Sequence, residues 1–558
     1  MVSKPLAKYD PFGWGVATRG AGKRAAGRPA EVASAAGKLV TALAQIPVAA
    51  AGVATGVRSD QPPVPIPDRD RRFADPAWED NAIYWGLRQY YLAWCRFIDE
   101  MVEAGSGGGT IEDQKNELLF SLIKDGLAPT NFPLTNPDVL ITAFRTGGRS
   151  LLGGVSMATH DLIHNNGRPM KVDRSKFELG KDLAVTPGKV IYRNEMMELI
   201  QYAPQTEEVH AVPLLASPAW INKYYVMDLA PGRSFFEWAI KNKRTLFTIS
   251  YRNPDESMQD VTMDDYAEHG PLKAIEVIKE ITGSDKVDIV GLCLGGALTA
   301  MTAAYLSQES DVLGTVTITN TLLDYSSPGI LGTLTDPQSL DNVDAKMRDD
   351  GGFLNGRDMA VTFDLLRAND LIFNYVVSRW MKGEAPNQFD ILAWNDDSTN
   401  MPAAMHSAYL RSLYQNNELA KGEYVLKGRK LNLGDIKNDA YVVGAINDHI
   451  VPWEASYRSA ALLGGKVRYA LSSGGHIAGI VNPPNPKAWY EANEDPSYFP
   501  DDPKTWADNV PRHKGSWWED WAKWSSERAG ELVKPPKMGS RKYKPLEDAP
   551  GTYVLAQV

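Results

Sequence analysis

One thiol stands between glycines where two periodicities meet, in Gly291-Leu292-Cys293-Leu294-Gly295-Gly296. Before it, Val287 to Val290 is a short apolar, β-prone run; after it, Ala297 to Leu306 is helix-forming. A strand that turns this sharply into a helix holds its apex residue in a strained conformation, and Gly291 and Gly295 stand where side chains would collide across the turn. The arrangement exposes the Cys293 thiol above a helix N-terminus, whose N–H dipoles favour a thiolate. This is a nucleophile elbow with Cys where Ser is usual. A small buried cysteine beside packing glycines would leave the same pattern, so the elbow by itself does not separate chemistry from packing.

A nucleophilic Cys needs a base within hydrogen-bond reach, and the base needs a group to orient it. After an elbow of this kind the partners follow in the order acid, then histidine. The loop behind the strand-like run Tyr441 to Ala445 holds Asn447-Asp448-His449-Ile450-Val451-Pro452-Trp453, and the loop behind the next such run holds Ser472-Ser473-Gly474-Gly475-His476-Ile477-Ala478-Gly479. Cys293, Asp448 and His476, each just past a strand, would need three independent coincidences if packing alone had placed them. Six other histidines, His160, His164, His210, His269, His406 and His513, follow no late strand. His449 is the competitor. It adjoins Asp448 in the chain, so its ring should point elsewhere, and it reads as a supporting residue behind the trio. The oxyanion donors should be the backbone N–H of Leu294 and one from the Ser217–Ile221 loop, at Ala219 or Trp220.

These side chains need a frame. Val209 to Ala216, Thr245 to Tyr251, Val287 to Val290, Thr315 to Thr319, Ala440 to Ala445 and Lys466 to Leu471 read as strands, alternating with helices at Phe235 to Lys241 and Met263 to Ile281. Such alternation predicts a parallel sheet covered on both faces. With the elbow and the order nucleophile, acid, histidine, the fold class is α/β, an α/β-hydrolase fold over residues 203–558. Between about 322 and 437 the alternation stops, and an insertion there would lie over the C-terminal ends of the strands as a lid, or cap, subdomain. The tail is rich in Trp (Trp517, Trp518, Trp521, Trp524), which suits docking better than chemistry.

Residues 71–202 read as a mainly helical N-terminal domain, with an aromatic stripe from Trp78 to Met101 that suits a core or a subunit interface. Residues 1–70 are rich in Ala, Gly and Pro, with Lys4, Lys8, Arg19, Lys23, Arg24, Arg28 and Lys38 against few acids, and read as a mobile basic arm. Within the arm, Leu39 to Val57 is apolar but built mainly of Ala, Val and Gly and interrupted by Gln45 and Pro47, a composition that suits a surface-adhering segment better than a spanning helix. Gln61 to Pro67 is a proline-rich linker that cannot be helical.

A chain of 558 residues is long for one core, which predicts one large domain plus appended segments. The formal net charge of −10 carries no general footprint for nucleic acid. Two cysteines, Cys95 and Cys293, cannot build a disulfide framework or a structural zinc cluster, and they fit a reducing cytoplasm.

At these residues the chain resembles the polyhydroxyalkanoate synthases. The family's lipase-like box with Cys, its Asp-His-Ile-x-Pro-Trp and its Gly-His-Ile-Ala-Gly-x-x-Asn-Pro-Pro correspond to Gly291–Gly296, Asp448–Trp453 and Gly475–Pro484. Ile221-Asn222-Lys223-Tyr224-Tyr225, Arg252-Asn253-Pro254, Asn369-Asp370-Leu371-Ile372, Trp394-Asn395 and Gly515-Ser516-Trp517-Trp518 match as well, so the likeness runs from about Arg72 to the C-terminus. Length and the tail Pro550-Gly551-Thr552-Tyr553-Val554 look like the single-subunit, class I type, which prefers short chains such as 3-hydroxybutyryl. Tyr251 and Phe373 stand where Trp is expected and Leu292 where an aromatic is common, departures that bear on acyl-chain preference and leave the trio intact.

The resemblance implies that Cys293 attacks the thioester of 3-hydroxyacyl-CoA, His476 takes its proton, and Asp448 either orients His476 or acts with it to activate the next 3-hydroxyl. No metal or redox cofactor is needed for this chemistry. The resemblance further implies a homodimer at the surface of cytoplasmic polyester granules, with granule-associated proteins as possible partners and no nucleic acid. Beside what the resemblance implies, two alternatives remain open: a cysteine hydrolase of the same fold and a granule-coat protein without activity.

Overall fold

The alanine-rich N-terminal stretch folds as helix. In this computed structural model, which describes residues 10, 12–57, 61–68 and 70–557, the chain divides into two compact units. One comprises the residues up to Asp173 with Val361–Gln388; the other comprises Arg174–Ala360 with the residues from Phe389 onward.

The first unit holds helices α1 (Trp14–Ala26), α2 (Pro29–Thr55), α3 (Ala82–Ala104), α4 (Ile111–Gly126), α5 (Pro137–Arg145) and α6 (Arg149–His164). Alanine has the highest helix propensity, and Pro29 sits at the first turn, where a missing N–H costs nothing. Helix α2 buries Leu39, Ala42 and Ile46 against Leu92 and Ala93 of α3 and Val64 of the linker. Its basic neighbours find partners too: Arg24 pairs with Asp113 at 2.8 Å, Arg28 donates to the Ala104 carbonyl at 3.1 Å, and Lys38 pairs with Glu100 at 3.0 Å. The expected mobile arm is therefore, over the described residues, a packed helical pair. Composition alone concealed this because small apolar side chains pack closely without large hydrophobes; Lys4 and Lys8 lie outside the described residues. Helix α2 is also long and apolar enough to cross a membrane, and its outward side exposes Val40 and Val48.

Two expected boundaries move. The helical region ends near Asp173 rather than at 202, because Val190-Ile191-Tyr192 and Leu199-Ile200 form strands of the sheet. Of the expected cap insertion 322–437, residues Val361–Gln388 belong to the helical unit, which leaves the cap as two segments, 322–360 and 389–437.

Among the described residues, eleven strands make the sheet of the second unit: β1 (Gly188–Arg193), β2 (Met197–Tyr202), β3 (Leu214–Ser217), β4 (Leu246–Tyr251), β5 (Val287–Leu292), β6 (Leu313–Thr319), β7 (Ala440–Ala445), β8 (Val467–Ser472), β9 (Trp489–Ala492), β10 (Arg512–Lys514) and β11 (Glu547–Asp548). They are ordered β10-β9-β8-β7-β6-β5-β3-β4-β2-β1-β11. The six from β8 through β4 run parallel, and the outer strands are antiparallel. The central strands are buried along nearly their whole length, as a sheet covered on both faces requires. In register, Ser217 lies beside Gly291, Leu292 beside Thr319, Thr319 beside Val443 and Ala445 beside Ser472. Five strands thus end level, and whatever follows each of them emerges at one place.

Two elements depart from expectation because proline intervenes. The run Val209 to Ala216 divides at Pro213, which has no N–H for the ladder, into a two-residue strand at Val209–His210 and β3. The helix expected over Met263 to Ile281 breaks at Gly270-Pro271, where Gly270 takes φ −99° and ψ −111°.

Candidate active site

Strand β5 meets the helix Leu294–Ser307 at Cys293, whose φ of 51° and ψ of −122° make it one of the few non-glycine residues with positive φ. The strain is held from both sides. A Cβ at Gly291 would stand 2.5 Å from the Gly295 carbonyl oxygen and 2.6 Å from the Gly296 Cα; one at Gly295 would stand 2.5 Å from the Pro218 oxygen. The Cys293 N–H donates to the Thr319 carbonyl at 2.9 Å, and the Thr321 hydroxyl donates to the Cys293 carbonyl at 2.9 Å. The apex is therefore tied to the strand next door and to the residues that follow it.

His476 and Asp448 arrive from the loops after β8 and β7. The His476 Nδ1 lies 2.7 Å from Asp448 Oδ2, and Cys293 is near enough for its charge to act on the ring. With Nδ1 taken by the carboxylate, Nε2 is the nitrogen left for the thiol. Burial by itself pushes the imidazole down. The charge of Asp448, then that of Cys293, with the hydrogen bond to Asp448, outweigh burial and hold it well above the ordinary histidine value. Asp448 Oδ1 accepts the N–H groups of Ile450 at 2.9 Å and Val451 at 2.8 Å, while Oδ2 accepts Asn320 Nδ2 at 3.1 Å as well as the imidazole. Its lone-pair positions are all occupied and its side chain is wholly buried.

The structure thus brings together the three residues expected to act, all within the second unit. The ring that meets Asp448 is that of His476; His449, next along the chain, is half-buried. Leu294 opens the helix, where N–H groups have no intrahelical acceptor. Ala219 and Trp220 are buried in the loop after β3, and that loop crosses the helix start at Ser217 and Pro218, close enough to exclude any side chain at Gly295.

Several residues at the site escaped the sequence reading. Asn320 and Thr321 follow β6 as Asp448 follows β7, so their position past a strand was the available signal. Tyr325, Tyr409 and Tyr414 gave none, since they meet only through the cap. Their rings meet edge-on in series, Tyr325 against Tyr414 at 4.8 Å, Tyr414 against Tyr409 at 5.7 Å, and Tyr409 against Trp220 at 5.8 Å. Burial, then the neighbouring phenols and the Cys293 charge, hold the hydroxyls of Tyr325 and Tyr409 well above the usual tyrosine value, so they stay donors.

Scattered motifs converge here as well. Tyr225 and Lys223 both bond Asp397, at 2.9 and 2.8 Å, and Trp394 Nε1 donates to the Lys223 carbonyl at 2.9 Å. Asn400 accepts from Gly356 N–H at 3.0 Å and donates to the Pro254 carbonyl at 3.0 Å. The cap segment from Phe389 is in this way knitted to the loops after β3 and β4.

The chain matches two families in succession: residues 69–239 match the family described as poly-beta-hydroxybutyrate polymerase (PhaC) N-terminus, and residues 231–483 match the alpha/beta hydrolase fold. It is 39% identical over 498 residues to the poly(3-hydroxyalkanoate) polymerase subunit PhaC of Cupriavidus necator, covering 88% of this chain and 84% of that protein. Against the poly(3-hydroxyalkanoate) polymerase of Methylorubrum extorquens it is 40% identical over 500 residues, 88% of this chain and 82% of the other. Against poly(3-hydroxyalkanoate) polymerase 1 of Ectopseudomonas oleovorans it is 39% identical over 490 residues, 87% of this chain and 86% of the other. A match of this length spans both the helical region and the sheet that carries Cys293, Asp448 and His476, and the chain belongs to the poly(3-hydroxyalkanoate) polymerase family.

Proposed function

We propose that this protein is an acyltransferase that polymerises 3-hydroxyacyl-CoA, with short units such as 3-hydroxybutyryl, into polyhydroxyalkanoate and releases CoA. The observation that carries the reading is the buried Asp448–His476 pair beside Cys293 at a strained elbow. The Cys293 sulfur attacks the thioester carbonyl while His476 Nε2 takes its proton. The tetrahedral oxyanion is met by the N–H of Leu294 and by one from Ala219 or Trp220. CoA leaves as its thiol with the proton from His476, and the acyl group stays on Cys293 as a thioester. The 3-hydroxyl of another unit then attacks that carbonyl, gives its proton to His476 and forms an ester, and the Cys293 sulfur is the leaving group. A thiol nucleophile suits the first step because one thioester is exchanged for another at little cost.

Asp448 orients His476 in both steps. Its filled hydrogen-bond positions supply no free lone pair for a hydroxyl proton, which favours this role over direct activation of the incoming 3-hydroxyl. His449 supports the loop from behind. We place the protein in the cytoplasm at the surface of the polymer it makes, as a homodimer, with the exposed side of α2 as one contact to that surface.

Purified protein given 3-hydroxybutyryl-CoA should release CoA while the solution turns turbid. CoA release with soluble acid would make it a thioesterase, and neither would make it a coat protein. Cys293→Ala should abolish release while Cys95→Ala keeps most of it, and turnover by Cys293→Ala above background would remove the nucleophile.

A further inference from the structure

Asn320 follows β6 with a φ of 45°, fully buried, one strand away from the elbow. Asparagine accepts the left-handed region more readily than most residues, and here its N–H donates to the Val443 carbonyl at 2.8 Å, which locks the backbone. Its side-chain amide reaches two different loops: Nδ2 lies 3.1 Å from Asp448 Oδ2 and 2.7 Å from the His476 carbonyl oxygen. Both partners are acceptors, so the amide can face them only with its nitrogen, and its two hydrogens serve one each. Oδ1 is left buried without a partner among the protein's own groups, so the amide's orientation is set by its nitrogen.

We propose that Asn320 is a positioning residue for the reaction, a bracket that fixes the separation between the acid and the base. One hydrogen bond ends on the carboxylate oxygen that holds the imidazole, and the other ends on the backbone of that same histidine. The ring is therefore constrained from its side-chain end through Asp448 and from its main-chain end directly. Without the bracket, Asp448 keeps its two backbone donors on Oδ1, but Oδ2 is held by the imidazole alone, and the ring loses its main-chain tie and with it its alignment toward Cys293. The inference rests on the relay proposed above for Cys293, yet it can fail separately.

The test uses the full-length protein carrying Cys95→Ser, so that iodoacetamide reports on Cys293 alone. Alkylation rate is measured across pH, and steady-state CoA release is measured beside it. Asn320→Ala should lower kcat by about 10–100-fold with KM changed little, the usual scale for a residue that orients an acting one. It should also move the midpoint of the alkylation profile to higher pH, because the imidazolium that supports the thiolate is less well held. Asn320→Asp has the same shape but sets an oxygen against Asp448 Oδ2 and the His476 carbonyl, and should lose at least as much. Asn438→Ala is the control. That amide bridges the Leu313 and Gly314 carbonyls at 2.9 Å at the other end of β6, so its loss should lower the melting temperature and leave the alkylation profile in place. A parent-like kcat and profile in Asn320→Ala, or an equal shift in Asn438→Ala, would overturn the proposal. Absence of CoA release by the parent would instead strike the polymerase reading, and the alkylation arm would still judge Asn320.

Discussion

Cys293 is strained by design of its neighbours rather than by its own side chain. Gly295 is the sharper test of this, since the atoms facing its missing Cβ are the main chain of Ser217 and Pro218, which cannot rotate away. Gly295→Ala should destabilise the fold by about 1–3 kcal/mol, the range for overpacking, and should push the Ser217–Ile221 loop off the elbow. The expected result is a lower urea midpoint together with loss of CoA release; a variant with parent stability would show that the loop yields freely. Asp448 makes a different case. The sequence left open whether it orients His476 or also activates the 3-hydroxyl, and its four accepted hydrogen bonds favour orientation. In rapid-quench experiments with labelled substrate, Asp448→Asn should therefore lose acylation and elongation in equal proportion, within the roughly 10²–10⁴-fold range of general-base assistance. Elongation falling much further than acylation would return a direct role to the carboxylate.

Helix Trp517–Ser526 matters at the scale of elements because of where its indoles point. Trp517 Nε1 donates to the Gly479 carbonyl at 2.7 Å, Trp518 Nε1 donates to the Ile480 carbonyl at 2.8 Å, and the Ser516 hydroxyl donates to the Asn482 carbonyl. These are the carbonyls of the loop that carries His476, so the tail clamps that loop from outside the sheet. Trp518→Phe keeps most of the packing but leaves the Ile480 carbonyl unpaired. It should cost about 1–3 kcal/mol and speed amide hydrogen exchange in residues 476–482, with little change elsewhere. In the helical unit, α2 covers Leu92 and Ala93, so removal of residues 1–57 should expose an apolar stripe of α3. We expect that truncation to lower the unit's thermal stability and promote aggregation while leaving Cys293 alkylation intact, because every residue of the relay lies in the other unit. A truncated protein as stable as the parent would restore the view of this stretch as a loose arm.

Across the whole molecule, two buried histidines pull stability in opposite directions with pH. Burial pushes His406 down to about 4, against a weak pull from Asp344, so it is neutral in the folded chain. Unfolded, it titrates near 6.5. Between those values the unfolded chain binds more protons, so its contribution is complete above about pH 6.5 and falls away toward pH 4, in total on the order of 3 kcal/mol. His476 is the reverse. Its folded value lies well above 6.5, so its contribution is complete below that and is lost as pH rises through the folded value. His406→Leu should therefore flatten the acid limb of a plot of urea midpoint against pH and leave the alkaline limb alone. Curves for parent and variant that stay parallel from pH 7 to 4 would show that His406 carries no proton linkage.

The residues we propose for the chemistry were legible in the chain, because a nucleophile elbow and two loops behind strands are local patterns, and local patterns survive without a fold. The parallel sheet was legible for the same reason: alternation of apolar runs with helices leaves few ways to bury both faces. Three things depended on residues far apart in sequence coming together. Asn320 is 128 residues from Asp448 and 156 from the His476 carbonyl it holds, and nothing local marks an asparagine as a bracket. The tyrosines of the cap meet the elbow only after a long insertion folds back. The N-terminal helices read as a basic arm because alanine packing leaves a weak hydrophobic signal, and only the facing surfaces of α3 and α4, with Glu100 as partner for Lys38 and Asp113 for Arg24, decide that they dock. Sequence determined which groups can react; tertiary contact decided how tightly they are held and which segments share a core.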